Sequence, residues 1–163
     1  MKKLLVLTTS ALLLVACSST KEGAELYGSA NGGWNDAVDV TNLSETALTK
    51  KLRKTGADVV YFSFNEASLN GEAKADLQTQ ADWLKENPNA LVVIEGRCDE
   101  RGTREYNLAL GEQRANAARS YLIAKGIASN RIRTISYGKD KPVVLGSDEE
   151  SWAKNRSATT VAY

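Results

Sequence analysis

Two side chains of opposite charge, Asp99 and Arg114, flank a strand–loop–helix junction in the stretch EGRCDERGTREYNLALGEQR, residues 95–114. Asp99 follows the apolar run Leu91-Val92-Val93-Ile94. It therefore falls just past the C-terminal end of a strand, where open α/β sheets tend to bind ligands. Thr103 is placed to cap the helix that follows, whose free N–H groups attract anions such as carboxylates. Asn107, Leu110 and Arg114 stand at i, i+3 and i+7. They share one helical stripe that leads back to the loop carrying Asp99 and Arg101. Such a pair can grip a small zwitterion at both ends, the aspartate accepting from an ammonium and the guanidinium forking onto a carboxylate. Charge-assisted hydrogen bonds of this kind contribute roughly 1.5–3 kcal/mol each. The same spacing fits equally well a direct Asp99–Arg114 ion pair that only steadies the loop.

Other chemistries find little in the sequence. The 163 residues contain no histidine, which removes histidine-based triads, imidazole metal sites and a histidine general base. Cys98 beside Asp99 and Glu100 resembles a thiol nucleophile only superficially, because no base is available to activate it. A lone buried cysteine acting as a small apolar residue is the simpler reading. Glu95, Asp99 and Glu100 offer carboxylates for glycan hydrolysis, but Glu100 is flanked by arginine and expected to be solvated. No phosphate-binding Gly-x-x-x-x-Gly-Lys-Ser/Thr loop and no metal-ligand spacing occur. The chain is read as a binding protein, not an enzyme, with no metal and no cofactor. Its 21 basic and 20 acidic residues give +1, without the basic excess expected of a nucleic-acid reader.

The elements that position Asp99 and Arg114 follow from pattern. Residues 59–64 (VVYFSF) are β-branched and aromatic and predict a strand. Asn70 caps a following helix on which Leu69, Ala73, Leu77, Ala81 and Leu84 recur at helical spacing, and which must end by Pro88. Residues 91–95 form a second strand, apolar enough for burial on both faces. The second helix starts after Thr103, runs to Lys125 and stops at Gly126. Residues 131–137 (RIRTISY) alternate as a third strand, residues 149–154 make a short helix, and residues 157–163 make a last strand. A β-α-β-α-β-β order implies an α+β domain with α/β-like succession, in which two main helices pack on one face of a mixed sheet. The compact domain is expected over residues 57–163.

What precedes that domain reads as an address and a tether. Lys2 and Lys3, the apolar residues 4–15 and the small Ala16 have the layout of a signal peptide over residues 1–16. That apolar run is too short to span a hydrocarbon layer, which needs about 20 residues. Leu14-Val15-Ala16-Cys17 resembles the lipobox of bacterial lipoproteins. The resemblance implies cleavage before Cys17, lipidation of its thiol and acylation (palmitate) of the new amino terminus, two or more chains being needed for firm anchoring. Ser18, where no aspartate stands, implies onward sorting to the outer membrane. Without Lys2 and Lys3 the chain carries 19 basic and 20 acidic residues. With Cys17 lipidated, Cys98 has no disulfide partner within the chain. Residues 17–56 are assigned to the lipidated end and a flexible tether rich in Ser, Gly, Ala and Asn. Tyr27 and Trp34 are its only large aromatics, and a weak helix is expected over residues 41–54 with Ser44 as its cap.

Several of these stretches resemble one family. GRCDERGT (96–103), YNLALGE (106–112) and Arg114-Ala115 resemble the signature of the OmpA-like peptidoglycan-binding domain. IRTISYGK (132–139), KPVVLG (141–146) and WAKNR (152–156) narrow the likeness to its peptidoglycan-associated lipoproteins, over about residues 59–163. The resemblance implies non-covalent binding of the peptide stem of peptidoglycan at meso-diaminopimelate, whose free D-centre carries neighbouring ammonium and carboxylate groups. Asp99 and Arg114 match the family's ligand pair, and Phe64, Arg101, Thr103, Asn107 and Leu110 match groove positions. It also implies TolB and other Tol components as partners, in a system that draws the envelope together at division. A generic wall-anchoring lipoprotein without TolB binding is the alternative. The chain departs from the family at Arg97, often histidine or asparagine there and expected to make the groove more basic. Asn65 replaces a usual aspartate, and Ser157 stands where a second arginine is common.

Overall fold

The computed structural model describes residues 46–163. Cys17, the tether residues Tyr27 and Trp34, and Ser44 lie outside the described residues. In order the elements are α1 (Ala47–Arg53), β1 (Val59–Tyr61), α2 (Gly71–Glu86), β2 (Val92–Arg97), α3 (Arg104–Ala124), β3 (Ile132–Gly138), α4 (Glu149–Asn155) and β4 (Ser157–Ala162). A short 3-10 turn, Ser129–Arg131, leads into β3.

The helix boundaries follow local chemistry. The Asn70 side chain accepts from the Ala73 N–H at 2.8 Å and starts α2, which ends one residue before the Asn87–Pro88 step. Thr103 Oγ1 accepts from the Tyr106 N–H at 3.2 Å and starts α3, and Gly126 at φ +91° ends it. On α2, Ala73, Leu77, Ala81 and Leu84 are buried as the spacing predicts. On α3 the buried stripe runs through Asn107, Leu110, Gly111, Arg114, Ala115, Ala118 and Leu122.

The sheet has the order β1-β4-β2-β3. β2 and β3 are parallel, while β4 runs antiparallel to both β1 and β2, giving the mixed sheet expected. β4, last in the chain, is therefore inserted between the first two strands. Val60, Val92, Ile94, Ile132, Ala158 and Ala162 form one core with the apolar faces of α2 and α3. Fully burying a Leu, Ile or Val side chain contributes roughly 1.5–3 kcal/mol.

Two boundaries differ from the sequence reading. Leu52 of α1 is fully buried in the core, and the Thr49 hydroxyl donates to the Ala162 carbonyl at 2.7 Å. Residues 47–53, assigned above to the tether, thus pack on the end of β4, with Thr46 rather than Ser44 as the helix cap. β1 stops at Tyr61, short of the expected Phe64. Beyond it the Ser63 and Glu66 carbonyls turn toward Arg114, and Asn65 adopts φ +58°, a left-handed geometry that asparagine tolerates. Phe62 still bonds the Arg156 carbonyl through its N–H at 2.9 Å and packs in the core, and the chain beyond it brings Phe64 to the wall of the site.

α3 lies unusually close to β2. A Cβ on Gly96 would collide with the backbone of Gly111, and one on Gly111 would strike Ser136 Oγ. Gly96→Ala is expected to destabilise the chain by about 3 kcal/mol, the upper end of the overpacking range, because the obstacle is backbone that has nowhere to move. Urea unfolding of the two proteins measures it, and a midpoint equal to wild type would contradict this account of the packing.

Candidate functional site

The ends of β2 and α3 and the loop after β1 converge on a pocket of about 120 Å³. Phe64, Asn65, Cys98, Asp99, Arg101, Gly102, Tyr106, Asn107, Leu110 and Arg114 line it. Six of the seven residues singled out from sequence therefore share one cavity: Asp99, Arg114, Phe64, Arg101, Asn107 and Leu110. Thr103 is not in the wall. Its hydroxyl caps α3, and its carbonyl accepts from Asn107 Nδ2 at 3.0 Å, so it acts on the pocket through Asn107.

Arg114 is only 1% exposed. Its Nε donates to the Glu66 carbonyl (2.8 Å), Nη1 to the Arg97 carbonyl (2.9 Å) and Nη2 to the Ser63 carbonyl (3.1 Å). The guanidinium also stands 5.3 Å from the centre of the Phe62 ring. Burial pulls its pKa below the usual arginine value, and the charge of Asp99 acts in the opposite sense. Of the five N–H donors of a guanidinium, two remain beyond these three bonds.

Asp99 is 4% exposed and does not pair directly with Arg114. Arg101 forks onto it, Nη2 to Oδ2 at 2.7 Å and Nε to Oδ1 at 3.2 Å, and the Arg101 backbone N–H adds a third bond at 3.1 Å. Arg156 Nη1 stands 3.5 Å from Oδ2. Burial pushes the carboxyl up, but the side-chain and backbone bonds from Arg101, its charge and Arg156 outweigh that, so Asp99 titrates below its ordinary value of 3.8. The pocket thus presents a held carboxylate and a held guanidinium as two separate charges, not as a closed ion pair.

Arg101 is itself braced. Its guanidinium carbon lies 4.0 Å from the Phe64 ring centre and 4.2 Å from a ring of Trp152. Lys139 Nζ fastens the same loop through the carbonyls of Gly102 (2.6 Å) and Glu100 (3.2 Å). The Tyr106 hydroxyl bonds Asn65 Oδ1, closing the pocket over the loop after β1. Cys98 is buried at the back, donating to the Asn107 carbonyl at 3.3 Å. Burial pushes its thiol pKa up, opposite to what an activated nucleophile needs.

Arg97 departs from expectation. Gly96 faces the helices, so strand alternation turns the Arg97 side chain to the other side of the sheet. There it meets Glu95 Oε2 at 2.5 Å and Thr159 Oγ1 at 3.2 Å, and lies over the Tyr137 ring. It adds no charge to the pocket; only its carbonyl reaches Arg114. Ser157, another of the three departures, is fully buried in β4. Sequence reasoning assigned no role at this site to Arg156, Tyr106 or Trp152. The motif stretches contained all three, but nothing local showed that α4 and the start of β4 fold back onto the loop after β2.

Comparison with known proteins agrees with this architecture. Residues 61–156 match the OmpA family. A peptidoglycan-associated lipoprotein from Rhizobium meliloti (strain 1021) is 44% identical over 150 residues, 92% of this chain and 81% of that one. The protein of the same name from Pasteurella multocida (strain Pm70) is 40% identical over 161 residues, covering 99% of this chain and 97% of its own. Among solved structures, the peptidoglycan-associated lipoprotein from Burkholderia pseudomallei superposes with a TM-score of 0.63 at 46% identity, over 65% of this chain and 90% of that one. The C-terminal domain of Helicobacter pylori MotB shares the fold alone, with a TM-score of 0.58 at 18% identity over 64% of this chain and 84% of that one. With its mixed sheet, its two main helices and this sequence likeness across nearly the whole chain, the protein belongs to the OmpA family, among the peptidoglycan-associated lipoproteins.

Proposed function

We propose that this chain is an outer-membrane lipoprotein that holds peptidoglycan non-covalently through the meso-diaminopimelate of the stem peptide. The observation that carries the reading is the pocket's pair of held, separate charges. Asp99 keeps acceptor capacity on Oδ2, and Arg114 keeps two donors. A carbon centre bearing both an ammonium and a carboxylate complements them. A pocket of about 120 Å³ takes such a head group and leaves the rest of a stem peptide outside. Phe64, Asn107 and Leu110 supply the flanking walls, and Thr103 holds Asn107 in place. Lipidated Cys17 anchors the amino terminus in the outer membrane, and the tether spans the periplasmic gap. The sequence likeness to peptidoglycan-associated lipoproteins supports the assignment, and the family resemblance adds TolB and the Tol system, with a role in envelope integrity and division. No catalytic step is part of the proposal.

Binding can be read by co-sedimentation of the detergent-solubilised full chain with purified sacculi. Asp99→Asn, which keeps the shape and removes the charge, should weaken it about tenfold to a hundredfold, the loss of one charge-assisted bond. Arg114→Lys, which keeps the charge and loses the fork, should weaken it comparably, and free meso-diaminopimelate should compete. Unchanged sedimentation of both variants would sink the clamp. Co-purification with TolB under mild conditions tests the partner, and repeated absence of TolB would restrict the protein to wall anchoring.

The depressed pKa of Asp99 sets the sign of the pH response. A carboxyl lowered by folding contributes stability above its unfolded value and loses it as the pH falls through the folded value. Sedimentation and thermal stability should therefore hold from pH 7 to about pH 5 and fall away below about pH 4. A transition centred near neutrality would show that another group governs binding.

A further inference from the structure

We infer that Trp152, on α4 and outside the pocket wall, is a positioning residue for ligand binding: its indole and the Phe64 ring clamp Arg101 in the plane from which it forks onto Asp99. The inference rests on the binding reading above. Trp152 is not part of the hydrophobic core. Its polar edge is spent on Glu100, with Nε1 donating to Oε1 at 3.1 Å. The Arg101 guanidinium carbon lies 4.2 Å from the centre of a Trp152 ring and 4.0 Å from that of Phe64, so both rings contact it. Two ring contacts at this range restrict the guanidinium while its N–H edge is engaged by the two Asp99 oxygens.

The platform that carries Trp152 is fixed. Asp148 caps α4 through the Ser151 N–H at 2.9 Å. Asn155 at its end brackets the Val143 and Val144 N–H groups (2.8 and 3.0 Å) and the Val144 carbonyl (2.8 Å). Arg156 ties the helix to the site, with Nη2 on Glu149 at 2.8 Å, Nε on the Phe62 carbonyl at 3.0 Å and Nη1 toward Asp99. α4 therefore carries Trp152 against Arg101, and the Arg156 that caps its C-terminal end approaches Asp99. Releasing the indole frees Arg101 to swing into solvent, leaves Asp99 with fewer bonds to its charged form, and weakens its hold on a ligand ammonium.

The test uses the full chain in mild detergent with purified sacculi, and free meso-diaminopimelate as competitor, across a pH series. Trp152→Leu keeps apolar bulk and removes the π face; Trp152→Phe keeps a face and removes the Glu100 bond. Trp152→Leu should lower affinity about three- to tenfold, in line with one cation–π contact, and move the acid midpoint of binding upward. Trp152→Phe should return affinity to within about twofold of wild type with the midpoint restored. A Leu variant equal to wild type in affinity and midpoint overturns the inference, as does a Phe variant as weak as the Leu one. If Asp99→Asn abolishes sedimentation while Trp152→Leu leaves it intact, the binding reading stands and only the role of Trp152 falls. If wild type and Asp99→Asn sediment alike, the binding reading fails and takes this inference with it.

Discussion

The Arg114 guanidinium is a cation taken almost wholly out of water and satisfied by three backbone carbonyls, two from the segment after β1 and one from the end of β2. Desolvating a charge costs several kcal/mol unless hydrogen bonds replace the lost water, so the Ser63, Glu66 and Arg97 carbonyls are as much a condition of the fold as the arginine is. The segment after β1 is thereby drawn away from the sheet, and the end of β2 is fixed against it. The pocket is the space this leaves between them. Arg131 repeats the device at the opposite end of the sheet, collecting the Leu84, Asn87 and Ala90 carbonyls.

Reaching those carbonyls requires α3 to lie close against β2, and that depends on Gly96 and Gly111 facing each other. The close packing, the buried cation and the pocket are consequences of one contact between a helix and a strand. Asp99 completes the arrangement from the loop between them. Its neighbours Arg101 and Arg156 hold it ionised, so the pocket is charged and shaped by the protein's own contacts, as the proposed binding requires. Preorganisation of this kind reduces the ordering cost of binding.

The reverse face of the sheet follows a different chemistry. Glu95, Arg97, Thr159 and Tyr137 form a polar cluster there, with Lys141 Nζ 4.1 Å from the Tyr137 ring centre. Tyr163, at the chain end, has its phenol pushed up to about 12 by burial and by the charge of Glu95. Alternate residues of β2 thus serve two surfaces: Val92, Ile94 and Gly96 face the helices, and Glu95 and Arg97 join this cluster. Arg97 belongs to the second through its side chain and to the pocket only through its carbonyl, which accepts from Arg114.

Much of this was legible along the chain because it is local. Asn70 and Thr103 start helices through bonds to residues three positions on, Gly126 ends one, and the apolar spacing of α2 marks its buried face. The motif around residues 96–115 marked the stretch that forms the pocket. What the sequence left open was long-range. Spacing allowed Asp99 and Arg114 to pair with each other; the tertiary structure gives Asp99 to Arg101 and Arg156, and gives Arg114 to carbonyls. The insertion of β4 between β1 and β2 brings Arg156, and with it α4 and Trp152, to the loop after β2. The side of the sheet on which Arg97 falls, and the packing of α1 against β4, were set by strand parity and by core volume left to fill. Residue types and short spacings determined which groups were available, and only the packing of distant segments determined which of them meet.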